Sequence, residues 1–168
     1  MITRTALAAA GLLALAACTA TPAPTSTTSA APSGTTSAAP PAGLSCDKAP
    51  EDVVGAALSL RLSHPRQTVD GDTVTCSYDG GGAVTSVVFR SKVDATGFAK
   101  GKLDYENKKQ KVTDLTGLGD EAYATTLGTG EVVQHTVVAR KGSTEVAVTS
   151  GANQEQERKL VATLLEGL

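Results

Sequence analysis

The sequence predicts an α+β domain: a mainly antiparallel sheet of about six strands with helices packed on it, in the order α-βββ-α-βββ-α. Three observations carry that expectation. Asp70-Gly71 and Lys141-Gly142 each stand between extended runs, the short-range signature of a hairpin. The chain closes on an apolar stripe of helical period, Leu160, Val161, Leu164, Leu165 and Leu168, which suits one side of a sheet. The links between strands are hairpins, or helices that follow a meander, so neighbouring strands should run antiparallel.

The elements follow in order. "PEDVVGAALSLRL", Pro50 to Leu62, opens with proline and two acids, both favoured in a first helical turn. Val54, Ala57, Leu58 and Arg61 share one side of that helix, and His64-Pro65 ends it. "TVDGDTVTCSY" then reverses at Asp70-Gly71, and Asp79 to Gly82 makes a second reversal into "AVTSVVFR", completing a three-stranded meander near Arg90. Asp94 can cap a second helix reaching about Lys109, with Phe98, Ala99 and Leu103 as a poor stripe weakened by Gly97 and Gly101. "KVTDLTGLGDEAYATT" has strand-like ends around a glycine-rich reversal. In the last hairpin, pairing Arg140 with Ser143 would set Val137 opposite Val146 and His135 opposite Val148, with Val133 and Ala139 on the same apolar side. Asn153 can cap the final helix, with Gln156 reaching back.

Ahead of this domain the composition is different. Arg4 precedes an apolar run, Ala6 to Ala17, too short for a bilayer core that needs roughly 20 residues. Such a layout is that of a secretory signal peptide over residues 1–17. Leu15-Ala16-Ala17-Cys18 resembles the lipobox of bacterial lipoproteins, whose cysteine receives a diacylglyceryl group and becomes the new N-terminus. The other reading is an ordinary signal cut at an Ala-x-Ala site, with Cys18 incidental. Acyl chains contribute about 0.8 kcal/mol per buried CH₂, so two chains make attachment durable where one does not. Residues 18–44 read as a tether: Thr19 to Gly43 contains only Thr, Ala, Pro, Ser and Gly and has nothing to bury. As a coil its ends would lie roughly 25–30 Å apart, and as polyproline near 80 Å. Its Thr/Ser-Pro composition also suits O-glycosylation, although a plain spacer is the simpler reading.

Residues 45–168 form a normal span for one domain with one core. The chain holds 15 Lys and Arg against 17 Asp and Glu, and losing Arg4 with the signal leaves 14 against 17. That balance argues against a nucleic-acid partner, whose binding rests on neutralising phosphates. Aromatic residues are 3% and tryptophan is absent, so composition gives an aromatic platform for sugars or bases little support. With Cys18 taken by lipid, Cys46 and Cys76 are an even pair in an oxidising compartment. A bridge between them would be worth roughly 3–4 kcal/mol on the chain-entropy model. Two buried free thiols are the alternative.

Cys46-Asp47 before the first helix, Cys76-Ser77-Tyr78 in a strand and Gly117-Leu118-Gly119-Asp120-Glu121-Ala122 after the second helix carry a likeness. With its signal and tether, the chain resembles small actinobacterial cell-envelope lipoproteins of uncharacterised function. Their domain is similar to the extracellular sensor domain of certain mycobacterial receptor kinases. The resemblance implies an antiparallel α+β fold and an envelope role in sensing or binding, and it brings no catalytic residues. Unlike those kinases, the chain shows neither a transmembrane helix nor a kinase domain, so signalling would need a partner.

Chemistry is sparse. His64 sits in a His-Pro turn and His135 mid-strand on an apolar face, and neither has a metal-ligand spacing. Asp70-Gly71-Asp72 lacks the later ligands of a calcium loop. No Gly-x-Ser-x-Gly elbow occurs, and Gly80-Gly81-Gly82 leads into a strand, not a helix N-terminus. Lys108, Lys109 and Lys111 form a small basic patch at a helix end. For the loop Gly117, Gly119, Asp120, a turn role is the first reading and a ligand wall the second. No cofactor and no metal are expected. The leading expectation is a non-enzymatic binding or sensor lipoprotein on the outer face of the cytoplasmic membrane, held there by its lipid, with a small envelope ligand or a protein as partner. A structural or accessory subunit of an envelope complex is the alternative class. A small enzyme with a site assembled only by folding is the third.

Overall fold

The computed structural model describes residues 40, 41, 43–128 and 133–168. The expected signal peptide, Cys18 and nearly all of the expected tether lie outside the described residues. Two meanders build the sheet. In the first, β1 (Arg66–Asp70), β2 (Thr73–Tyr78) and β3 (Thr85–Arg90) pair in sequence, and Asp70 opposite Thr73 puts the tight reversal at Gly71-Asp72, one residue beyond the expected Asp70-Gly71. In the second, β4 (Lys111–Leu115), β5 (Glu121–Leu127), β6 (Gln134–Lys141) and β7 (Thr144–Ser150) do the same. β3 then pairs with β7, giving one antiparallel sheet of seven strands in the order β1-β2-β3-β7-β6-β5-β4. The α+β class is as expected. The additional strand arises because both ends of "KVTDLTGLGDEAYATT" are full strands, β4 and β5, paired across the loop.

The last hairpin is displaced by two residues from the expected register. Lys141 pairs with Thr144 around Gly142-Ser143, so Val137 meets Val148, Ala139 meets Val146 and His135 meets Ser150. Because side chains alternate with period two, a shift of two leaves each residue on its expected face.

Three helices cover the sheet. α1 (Glu51–Leu58) stops four residues short of the expected Leu62, because Ser59 turns left-handed (φ 57°) and the Leu60 N–H bonds back to the Gly55 carbonyl. Arg61 is consequently outside the helix and exposed. α3 (Gln154–Glu166) carries a full capping box between Asn153 and Gln156. It lays Leu160, Val161, Leu164 and Leu165 into the core, while Leu168 falls beyond its end and is exposed. The Gln156 amide also reaches the Leu58 carbonyl at 3.1 Å, tying α3 to α1. These two helices share one core with Val74, Cys76, Val87, Phe89, Val137 and Val148. Leu44, at the end of the tether segment, is buried in the same core.

Cys46 and Cys76 are bonded, with Cα atoms 5.6 Å apart, across a sequence separation of 30. The bridge fastens a short 3₁₀ turn, Cys46–Lys48, to β2, and the Cys46 N–H also bonds Gln67 Oε1 at 2.8 Å. Tyr78 completes this corner by donating its hydroxyl to the Ala49 carbonyl.

α2 (Ala95–Asn107) covers the opposite face, where Val138 lies beside the inward Val137 but points the other way. Asp94 Oδ1 caps it by accepting from the Gly97 N–H. Its inward stripe is Phe98, Gly101 and Tyr105, not Phe98, Ala99 and Leu103. At 100° per residue Leu103 stands about 140° from Phe98, and it is 54% exposed. Among the described residues no helix is long and apolar enough to cross a membrane.

Candidate functional site

The loop between β4 and β5 answers the first question raised by the sequence. Gly117 and Gly119 hold φ of 72° and 62°, values that suit glycine. A Cβ on Gly119 would lie 2.3 Å from the Arg140 carbonyl oxygen, so the loop packs directly on the β6 backbone. Asp120 is bonded there through its backbone and one carboxylate oxygen. Its N–H donates to the Arg140 carbonyl at 2.7 Å, and its Oδ2 accepts from the Gly142 N–H at 2.7 Å. Arg140 in turn reaches Glu121 Oε2 at 2.7 Å, while Arg158 donates to the Thr116 carbonyl at 2.8 Å. Gly117, Gly119 and Asp120 thus tie the β4–β5 loop to the β6–β7 hairpin and α3. A shallow cavity of about 270 Å³ opens between this loop, Lys141 and Leu165, but the carboxylate that would read a ligand is already bonded to backbone.

The more functional arrangement lies beneath α2. Strand pairing places Arg90 opposite Glu145 and Glu145 opposite Arg140, which itself faces Glu121. A row of alternating charge therefore crosses one end of the sheet. Arg90 Nη1 donates to Glu145 Oε1 at 3.1 Å. The Glu145 side chain is only 4% exposed, and its Oε2 is buried with no hydrogen-bond partner among the described residues. A buried acceptor left open costs about 1–3 kcal/mol, more when charged, a condition that Thr85 Oγ1 and Glu157 Oε2 share among the described residues.

α2 makes the cleft by failing to fill the space above that row. Gly101 presents no side chain, and the Tyr123 hydroxyl lies 3.6 Å from where its Cβ would be. A cavity of about 190 Å³ remains between Gly101, Asp104 and Tyr105 on the helix and Tyr123, Val138 and Glu145 on the sheet. It adjoins a second of about 420 Å³, sharing Arg90, Gly101 and Asp104 and extending to Lys92 and Lys100. Tyr105 and Tyr123 line the inner cavity, and Tyr123 contacts Phe98 and Tyr105 with centroids 5.2 and 5.9 Å away. Burial, then the nearby Glu145 charge, pushes the Tyr105 hydroxyl above its ordinary pKa, and burial does the same to Tyr123. Both remain neutral donors at physiological pH. Lys102 bonds Asp114 at 2.5 Å and so fixes α2 to β4.

The remaining candidates lie away from this cleft or at its edge. His64 is exposed and pairs with Glu51 at 3.1 Å. His135 Nδ1 lies 3.3 Å from Thr126 Oγ1 on the neighbouring strand. Asp72 pairs with Lys92 at 2.8 Å. Lys108 lies 6.0 Å from the Tyr105 ring centre, at the edge of the cleft, while Lys109 and Lys111 are exposed. Among the described residues no three His, Cys, Asp or Glu side chains gather as metal ligands. Glu145 and Arg90 were not foreseen from sequence. Their signal is faint: an acid on the non-core side of "TEVAVTS", and a cation ending the third strand.

No family model, no curated protein and no solved structure matches the chain.

Proposed function

We propose that this chain is a lipid-anchored extracytoplasmic binding protein, tethered through Cys18 to the outer face of the cytoplasmic membrane and taking up a small polar ligand beneath α2. One observation carries the binding role: α2 leaves a cleft open at Gly101, lined by Arg90, Asp104, Tyr105, Tyr123 and the almost wholly buried Glu145. The lipobox-like Leu15-Ala16-Ala17-Cys18 and the Thr/Ala/Pro/Ser tether support the location, as does a disulfide suited to an oxidising compartment. The resemblance to small actinobacterial envelope lipoproteins and to kinase sensor domains is in keeping with this role.

Two measurements test the reading. Cys18→Ala should abolish incorporation of a labelled lipid precursor and release the protein from membranes; a variant that is still labelled and membrane-bound overturns the anchor. Mature protein purified from its native host should carry a small polar molecule detectable by mass spectrometry. Only protein subunits co-purifying would favour the second reading, an accessory subunit of an envelope complex. That reading draws on the part of the α2 face near Thr75, Ser77, Ser86, Val88 and Thr149, which is hydroxyl-rich and partly exposed.

A further inference from the structure

We infer that the corner between α2 and β4 is a docking surface for anionic phospholipid headgroups, the side that the anchored domain turns to its own membrane. The inference rests on the Cys18 anchor of the proposed function and adds an orientation. Most lysines elsewhere in the domain are engaged: Lys92 on Asp72, Lys102 on Asp114, Lys159 on Glu155, and Lys48 and Lys141 on backbone carbonyls. Lys108, Lys109 and Lys111 form no ion pair with a described residue. Together with Leu127, which is 53% exposed, they line an open hollow of about 540 Å³ whose described walls hold no carboxylate. Of the acids close in sequence, Asp104 lines the cleft beneath α2 and Glu106 lines neither space. Backbone bonds fix the corner. Lys109, left-handed at φ 59°, donates its N–H to the Glu106 carbonyl at 2.8 Å, and Gln110 donates to the Tyr105 carbonyl at 3.1 Å. Gln110 Oε1 accepts from Thr125 Oγ1 at 2.9 Å, so this side chain is held to the sheet while Lys109 and Lys111 on either side stand exposed.

Charge decides the occupant. Without Arg4 the chain holds 14 Lys and Arg against 17 Asp and Glu, and setting these three lysines aside leaves 11 against 17. An anionic bilayer therefore repels the rest of the domain on balance and attracts this corner. Each lysine brought to such a surface is worth roughly a fivefold gain in binding, and three about a hundredfold. That is weak for a free protein. A tether reaching roughly 25–30 Å as a coil, and near 80 Å extended, makes docking intramolecular, at an effective concentration on the order of millimolar. Leu127 adds an apolar contact for the headgroup boundary beside the ammonium groups.

Mature protein purified with its lipid and loaded into nanodiscs reads the orientation directly. The discs contain phosphatidylcholine, alone or mixed with phosphatidylglycerol, and a lipid with a nitroxide on its headgroup. In the phosphatidylglycerol discs at low salt, the amide signals of Lys109, Lys111 and Leu127 should broaden several-fold more than that of Gly71, in the hairpin beside the opposite edge strand. High salt should remove the contrast. Lys108→Gln, Lys109→Gln and Lys111→Gln combined should remove it too, with the melting temperature unchanged. Equal broadening across the domain, contrast that survives the triple substitution, or the same contrast in phosphatidylcholine alone overturns the docking surface and leaves the anchor standing. Saturable shifts of these amides by inorganic phosphate at constant ionic strength, with no contrast in the discs, assign the corner to a free anion and also overturn it. Protein that carries no lipid and does not enter the discs overturns the anchor reading, and this inference with it.

Discussion

On one face of the sheet α3 sets Leu160, Val161, Leu164 and Leu165 against Val137, Ala139, Val146 and Val148, and the disulfide closes the margin. On the other, α2 rests on Phe98 and Tyr105, holds itself down with a lysine on Asp114, and leaves a polar cleft at Gly101. The same alternating strands serve both. Residues of one parity in β6 and β7 are continuous aliphatic core, while those of the other parity run from Glu145 and Arg140 through Ala147 and Val138 to Thr149 and Thr136. Stability is thus concentrated on one face, while the other carries the charged row and the cleft. The difference lies in the helices: a full apolar stripe with a capping box against a short stripe interrupted by glycine.

A paired truncation tests that division most strongly. Leu160 is wholly buried, so Leu160→Ala should cost on the order of 2–5 kcal/mol. Leu103→Ala, the same change on α2 at a residue 54% exposed, should fall within about 0.5 kcal/mol. Denaturant unfolding of both variants measures this, and equal losses would erase the distinction between the faces.

Gly119→Val comes next. The residue holds φ of 62° and its added Cβ would meet the Arg140 carbonyl at 2.3 Å, so the loop must shift against β6. The expected loss is on the order of 2–3 kcal/mol. Asp120→Asn keeps an oxygen for the Gly142 N–H and should cost under about 1 kcal/mol. A Gly119→Val protein that melts like the parent would remove the conformational account of this loop.

The core face also buries polar groups, among them Glu157. It is fully buried, its Oε1 accepts from the Ser150 hydroxyl at 2.6 Å, and its Oε2 has no partner among the described residues. Burial pushes its carboxyl up to about 8 from the ordinary 4.5, against the opposing pull of the Ser150 bonds. The folded protein therefore holds a proton that the unfolded chain releases, and stability present below about pH 4.5 is lost as pH rises towards 8. The loss has a limiting slope of about 1.4 kcal/mol per pH unit. Glu157→Gln should flatten the difference between melts at pH 5 and pH 8.5 and melt higher than the parent at pH 8.5. Parallel pH profiles for the two proteins would show that the carboxyl is not protonated in the fold.

Much of this architecture is legible in sequence, because its signals are local. Asp70-Gly71, Asp94 and the Asn153-Gln156 box each specify a turn or cap through their own backbone bonds, and the α3 stripe announces its buried face. The cleft is illegible for the opposite reason. Arg90 and Glu145, 55 residues apart in sequence, meet only because β3 pairs with β7 and joins the two meanders. No turn chemistry encodes that pairing. The α2 stripe was misread because Leu103 outweighs Gly101 on any scale of hydrophobicity, while the helix is oriented by two aromatic residues at i and i+7 with a glycine between them.

That glycine supplies the smallest and most discriminating test of the two faces. Gly101 has no left-handed backbone requirement, and a Cβ there would come no closer than 3.6 Å to the Tyr123 hydroxyl, an ordinary contact. Gly101→Ala should therefore stabilise the domain by about 0.5–1 kcal/mol through helix propensity alone. A glycine on the core-face margin, Gly119, resists any side chain, whereas this one accepts a methyl group because open space lies beyond it. Were α2 closely packed at Gly101, the methyl would cost stability, as overpacking a core does. A lower melting temperature for Gly101→Ala would accordingly show that the cleft is closed and that both faces are packed alike. A higher one, with Gly119→Ala falling in the same assay, keeps the second face open for a ligand.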